Sequence, residues 1–316
     1  METQNLVKYI VDRAGGIIFR NEVQLGLPTG YLKTQVALHL PRFPSKKLII
    51  NNKINEDLIE SECRRLGEKI KLKILSLPEE LAKNVTDNRE ETILLHKNGK
   101  ILEVKPGGRE QEITFSLVDP STGELIQTKL HYLSNYRTDT FYHYGLFRKG
   151  EKYPFSYLAI SSLDRKYILD VIPFETGFKD IMVVTRLYNI NNSPRNSASL
   201  LLSLARSDIK SKHRNVKALV TSVNPNVLFT GSSFKSAAYE LFALMPFEPL
   251  YYQGNYLTRK AVLNLKSPSD KKKEIFGKKL KCLPVMLTIN PLDSELLPVI
   301  KQAKIKKISK EFYNKG

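Results

Sequence analysis

Cysteine is almost missing: Cys63 and Cys282 are the only two in 316 residues, and they lie far apart in the chain. That excludes a disulfide framework and a cysteine-based zinc site, and it fits a reducing, cytoplasmic setting. The five histidines (His39, His96, His131, His143 and His213) are scattered without ligand spacing, so no metal is expected. No stretch approaches the roughly 20 apolar residues of a membrane span. The start, Met1-Glu2-Thr3-Gln4-Asn5, lacks the basic and apolar regions of a signal peptide. HExxH, GxSxG and GxxxxGKS/T are all absent. The usual signals of a zinc protease, a serine hydrolase and a P-loop nucleotide site are therefore missing. Acidic residues are in deficit, 32 against 50 Lys and Arg, which leaves a net charge of +18.

That excess of positive charge points to a polyanionic partner, nucleic acid ahead of a membrane surface, with solubility alone as the alternative. The apolar fraction of 41% is enough for a sizeable core, in one large domain or two smaller ones.

Read in order, Gly15-Gly16-Ile17-Ile18-Phe19 suggests a short strand and residues 47–50 another. Leu58, Ile59, Cys63, Leu66 and Ile70 recur at helical spacing and predict an amphipathic helix over 55–70. A strand over 71–77 follows, then a short helix opening at Pro78-Glu79-Glu80. Asn98-Gly99 predicts a hairpin over 92–104. Pro106-Gly107-Gly108 reads as a domain boundary, giving an N-terminal α/β domain over 1–108. A β-meander follows, with strands over 113–118, 125–133, 141–148, 155–161 and 167–171. Further strands are expected at Tyr251-Tyr252 and over 257–265, closing a second domain at 109–266. Lysines at 271–273, 278, 279, 281, 301, 304, 306, 307 and 310 mark 267–316 as a basic C-terminal extension. It contains an apolar stretch over 283–289 and a basic amphipathic helix over 295–305.

The chemistry concentrates in 181–245, which reads strand, polar turn, helix, strand, polar turn, helix. Ser193 is expected as an N-cap and Pro194 at the first helical position. Arg195, Asn196, Ser197, Ala198 and Ser199 would then put a guanidinium, two hydroxyls and first-turn N–H groups around an anion. An ordinarily capped helix is the alternative. A second helix is expected over 234–245, opened by Thr230-Gly231-Ser232-Ser233. Tyr239 lies off its apolar stripe and is a candidate general acid. Its alternative is a half-buried tyrosine with a wet hydroxyl. Around 136–148, Phe141, His143 and Gly145 would face one side of a strand, and Tyr142 and Tyr144 the other. His143 is a candidate base, or the tyrosines could stack on a base; an aromatic hairpin surface is the alternative.

This order of elements resembles the GNAT acyltransferase fold. Two stretches within it look like the phage Mom DNA-modification proteins: Arg186-Leu187-Tyr188 through Pro194-Arg195-Asn196-Ser197-Ala198-Ser199, and Ser222-Val223-Asn224-Pro225 through Phe229-Thr230-Gly231-Ser232-Ser233-Phe234. The resemblance covers about 112–265. It implies an α+β fold, a GNAT-like mixed twisted sheet flanked by helices. It implies acyl-CoA or acetyl-CoA as co-substrate and the exocyclic nitrogen of adenine in DNA as acceptor. Strand 181–187, with Val184 and Arg186, would present backbone groups to the donor, and Arg195 to Ser199 would hold phosphate. Asn224, Thr230 and Ser232 would line the cleft. Tyr239 would be the acid, and His143 and Tyr142 substrate-side groups. An acyltransferase acting on a protein, peptide or small-molecule amine, and a non-catalytic nucleic-acid-binding scaffold, are the alternatives.

Overall fold

The computed structural model describes residues 6–87, 91–191, 193–257, 262, 265 and 280–309. The lysines at 271–273, 278, 279 and 310, and most of the strand expected over 257–265, lie outside the described residues. In chain order the described helices are α1 (Leu6–Arg13), α2 (Gly15–Leu25), α3 (Tyr31–His39), α4 (Ser45–Leu48), α5 (Glu56–Leu75), α6 (Glu79–Thr86), α7 (Pro120–Leu125), α8 (Ser197–Lys212), α9 (Ser232–Ser236) and α10 (Leu296–Gln302). The strands are β1 (Ile49–Ile50), β2 (Lys53–Ile54), β3 (Ile93–Lys97), β4 (Lys100–Val104), β5 (Glu110–Leu117), β6 (Thr140–Arg148), β7 (Ser156–Ser162), β8 (Ile181–Asn189), β9 (Ala218–Val223), β10 (Glu240–Met245), β11 (Leu250–Tyr252), β12 (Asn255–Leu257), β13 (Val285–Pro291) and β14 (Lys306–Lys307).

The chain forms two compact units. The smaller takes Met1–Ser76, Asn224–Phe229 and Phe247–Pro284; the larger takes Leu77–Val223, Thr230–Pro246 and Val285–Gly316. The smaller unit is mainly helical rather than α/β. Its core gathers Ile10, Val11, Leu32, Val36, Ile59 and Cys63. Gly15 to Phe19 belongs to α2, not a strand, and Ile17 and Ile18 reach the core from it. The β-branched pair favours a strand only weakly, and packing overrides that preference. Residues 71–75 continue α5 in place of the expected strand, because Ile74 extends its buried stripe one turn beyond Ile70. Asn55 caps the helix by accepting from the Leu58 N–H.

The larger unit is built on a ten-stranded sheet in the order β14-β10-β13-β9-β8-β7-β6-β5-β4-β3. Two neighbouring pairs are parallel, β8 with β9 and β10 with β14. The fold class is α+β, as expected. Asn98 and Gly99 turn the β3–β4 hairpin with φ of 53° and 76°, the left-handed pair such a turn requires. Pro106 to Gly108 is only the next turn, from β4 into β5, and the units part between Ser76 and Leu77. Residues 125–133 are not a strand. Asp119 accepts from the N–H groups of Ser121 and Thr122, Pro120 takes the first helical position, and α7 runs into a π-helical turn at Ile126–Leu130. Residues 167–171 form a 3-10 helix.

The chain's end is not a mere extension. β13 lies between β9 and β10 and pairs antiparallel with both. Its central place explains its apolar composition. α8 packs Leu201, Leu202, Ala205 and Ile209 inward. It lies on the face of β6 that carries Tyr142 and Tyr144, and α7 lies against His143 on the opposite face.

Candidate active site

The distinctive feature of the sheet is a fork. β8 and β9 pair over Ile181↔Ala218 to Val184↔Thr221 and then part. β8 runs on to Asn189, held among the described residues by β7 alone. A bulge marks the place: the β7–β8 register passes from Ile160↔Val184 to Ala159↔Arg186 and leaves Thr185 over. A bulge bends its strand and sharpens its twist. The Thr221 hydroxyl donates to the Val184 carbonyl at 2.8 Å, closing the fork at its base. Beyond Val184 one edge of β8 presents backbone groups that an extended, amide-bearing ligand can pair with.

The helix after β8 starts later than expected. Ser193 is not its N-cap; its hydroxyl donates to the carbonyls of Ile190 (2.7 Å) and Phe155 (3.0 Å). Asn196 takes the cap position with φ of 69°, a conformation asparagine tolerates better than most residues. Arg195 is held as a strand-like bridge to Ile93. Its N–H donates to the Thr92 carbonyl at 2.8 Å, and its own carbonyl accepts from Leu94 at 3.0 Å. The Arg195 guanidinium pairs with Glu91 at 2.6 Å. Ser197 donates to the Pro194 carbonyl and Ser199 to that of Asn196. The polar groups of this turn are thus largely engaged within the chain, and the Ser197 and Leu200 amides donate to Pro194 and Asn196, which leaves the Ala198 and Ser199 amides as the first-turn donors suited to an anion.

The helix expected over 234–245 ends at Ser236, and Glu240–Met245 is β10. Ala238 adopts φ of 60°. Its N–H donates to Lys235 and that of Tyr239 to Phe234, both at 3.0 Å. This is a Schellman ending, and the hydrophobic contact that accompanies it is Tyr239 set edge-on to Phe234 at 5.3 Å. The Tyr239 hydroxyl is sealed from solvent without a hydrogen-bond partner, and burial pushes its pKa up. The Thr230 hydroxyl donates to that of Ser232, the first residue of α9. Asn224 belongs to the smaller unit, where it accepts from Asn226.

Tyr142 and His143 point to opposite faces, as their alternation requires. The Tyr142 hydroxyl meets His213 Nε2 at 2.6 Å. His143 enters a buried polar cluster that sequence reasoning missed. Its Nδ1 lies 2.6 Å from the Tyr157 hydroxyl, which also receives Gln127 Nε2 at 2.8 Å. Gln127 Oε1 accepts from the Arg137 N–H at 3.0 Å. Arg186 joins the same region by donating to Thr185 and Asn135 carbonyls, while its Nε is buried without a partner. Burial pulls Arg186 down to about 10. Burial also lowers His143, with Asp119 opposing, which favours the neutral ring. One signal could have found Gln127: Asp119-Pro120 is a helix start, not only a turn. The structure therefore brings His143 and Arg186 into one cluster and leaves Tyr142 and Tyr239 outside it.

Among the described residues no helix is long and apolar enough to cross a membrane, and no group of His, Cys, Asp and Glu could hold a metal ion. No protein-family model and no curated protein matches this sequence. Solved structures do. The chain is similar to an acetyltransferase of the GNAT family from Streptococcus pneumoniae, at 10% identity over 58% of this chain and 100% of that chain, with a TM-score of 0.34. It is similar to Arabidopsis thaliana NAA60 in complex with acetyl-CoA, at 11% identity over 57% and 98%, with a TM-score of 0.39. It is also similar to the ribosomal-protein-S18-alanine N-acetyltransferase of Escherichia coli, at 10% identity over 57% and 94%, with a TM-score of 0.34.

Proposed function

We propose that the larger unit is an acyltransferase that takes acyl-CoA or acetyl-CoA as co-substrate and acylates an amine, foremost the exocyclic nitrogen of adenine in DNA. The observation that carries the reading is the fork between β8 and β9, with its bulge at Thr185. An extended arm with amide groups can lie along the open edge of β8 as an added strand. The first turn of α8, at Ala198 and Ser199, would receive phosphate through its amides, and Arg195 would add charge once released from Glu91. Thr230 and Ser232, both of the larger unit, are proposed as cleft-lining groups. Catalysis would rest on positioning the amine against the thioester and on proton transfer, with no covalent enzyme intermediate. Tyr239 is the proposed acid toward the leaving thiolate, a role that requires its sealed hydroxyl to open onto the site. The net charge of +18 supports a nucleic-acid acceptor through contacts to its phosphates.

The test has two arms. Calorimetric titration with acetyl-CoA should show binding that weakens in Arg195→Ala. Mass spectrometry of nucleosides, from the DNA of cells expressing the protein, should show a mass-shifted deoxyadenosine that disappears in Ser197→Ala/Arg195→Ala. Acetyl-CoA binding with unmodified adenine would move the acceptor to a protein, peptide or small-molecule amine. A second reading, a nucleic-acid-binding scaffold without catalysis, is favoured by one observation: Arg195 is held by Glu91 and Thr92. DNA binding with no acetyl-CoA binding would select it.

A further inference from the structure

The polar cluster around His143 carries a proton order that follows from pairing its buried donors and acceptors. A backbone N–H is always a donor, and a carbonyl oxygen is always an acceptor. The Arg137 N–H lies 3.0 Å from Gln127 Oε1, so the Gln127 amide is fixed with its NH2 turned away from Arg137. That NH2 donates to the Tyr157 hydroxyl at 2.8 Å. Tyr157 has one proton, and its oxygen is already accepting. The oxygen could accept a second time, but among the described residues His143 Nδ1, at 2.6 Å, is the one acceptor in reach of the buried hydroxyl proton, so donation to it is the arrangement that leaves no proton unpaired. Nδ1 is then bare, and a neutral imidazole must carry its proton on Nε2.

A second observation shows that the arrangement is built. Gly123 lies within α7, where alanine would favour the helix by about 1 kcal/mol. A Cβ there would sit 2.3 Å from His143 Nδ1 and 3.1 Å from the Tyr157 hydroxyl. The glycine clears the space in which this hydrogen bond is made. The π-helical turn at Ile126–Leu130 places Gln127 over Tyr157, and both side chains are buried. Tyr136 lies parallel to the His143 ring at 6.5 Å.

We propose that Gln127 and Tyr157 are positioning residues that hold His143 as the neutral Nε2–H tautomer, so that it offers a ligand a hydrogen-bond donor and not a base. The ligand group it suits is an acceptor, such as a carbonyl oxygen or a bare ring nitrogen. That ligand role rests on the acyl-transfer reading; the tautomer does not.

The test is nitrogen-15 NMR of histidine-labelled full-length protein at neutral pH, with His143 assigned by loss of its signals in His143→Gln. The expected result is one tautomer, with Nε2 protonated and Nδ1 bare. Gln127→Glu keeps the shape but reverses the order. Its carboxylate would accept from both the Arg137 N–H and the Tyr157 O–H, leaving the Tyr157 oxygen to accept from Nδ1–H. The ring should therefore switch tautomer. Tyr157→Phe should give a mixture of tautomers. A wild-type ring protonated on Nδ1, or on both nitrogens, overturns the proposal, as does an unchanged ring in Gln127→Glu or in Tyr157→Phe. Should a variant fail to fold, the wild-type spectrum decides by itself. Acetyl-CoA titration of the same samples reports separately on the acyl-transfer reading, so failure of either is seen without the other.

Discussion

Glu103 and Arg148 form an ion pair within the larger unit, with contacts of 2.7 and 3.0 Å. Both side chains are at least nine-tenths buried, and Thr92 also donates to Glu103 at 2.7 Å. Burial alone would raise the Glu103 pKa, but the hydrogen bonds from Arg148 and Thr92 outweigh it and the net shift is downward. A carboxylate lowered on folding adds stability above its unfolded pKa of about 4.3. That stability is lost as pH falls through the lower folded value. Glu103→Gln removes the closer of two carboxylates that face the buried Arg148, leaving Glu151 at 3.9 Å, and should cost about 3 kcal/mol in urea unfolding at pH 7. The loss should shrink as the wild type is acidified. Gly123→Ala should destabilise the protein despite alanine's helix preference, because its Cβ meets His143; a fall in thermal midpoint is the readout. Neither position was legible in the sequence. Glu103 and Arg148 stand 45 residues apart, and only the pairing of β4 through β5 to β6 brings them together.

At the scale of elements, two helix ends decide the candidate site. α9 stops because the chain reverses at Ala238, and alanine in that left-handed conformation is strained by roughly 1–2 kcal/mol. Ala238→Gly should therefore stabilise by about 1 kcal/mol, seen as a rise in thermal midpoint. A sequence reading looks for glycine at such an ending, and alanine concealed it. At α8 the Arg195–Glu91 pair is exposed, 68% and 72%, and such pairs contribute at most about 1 kcal/mol. Glu91→Gln should leave stability nearly unchanged while freeing the guanidinium. Acetyl-CoA affinity should rise severalfold, and an unchanged affinity would remove Arg195 from phosphate binding. The β3–β4 hairpin was legible because Asn98-Gly99 specifies its own turn. The bridge from that hairpin to Arg195 was not, since nothing local links residue 93 to residue 195.

At the scale of the molecule, the last fifty residues change meaning. Their lysines made them read as an extension, yet β13 is interior to the sheet and bonded on both edges. Ending the chain at Pro284 would leave β9 and β10 with open ladders and remove Leu287 and Ile289 from the core. Such a truncation should lose cooperative unfolding by circular dichroism. DNA binding, if the charge of +18 is used that way, should weaken steeply with salt in a filter or anisotropy assay.

The sequence by itself determined what depends on near neighbours and on totals: the charge, the scarcity of cysteine, the amphipathic α5, the hairpin turn and the strand–helix–strand run from β8 to β9. These follow from composition, helical spacing and turn chemistry, which act over a few residues. The tertiary structure alone decided the fork at Val184, the insertion of β13, the burial of Tyr239 and the relay from Arg137 to His143. Each depends on residues far apart in the chain whose pairing is set by long-range packing, and no local pattern encodes it.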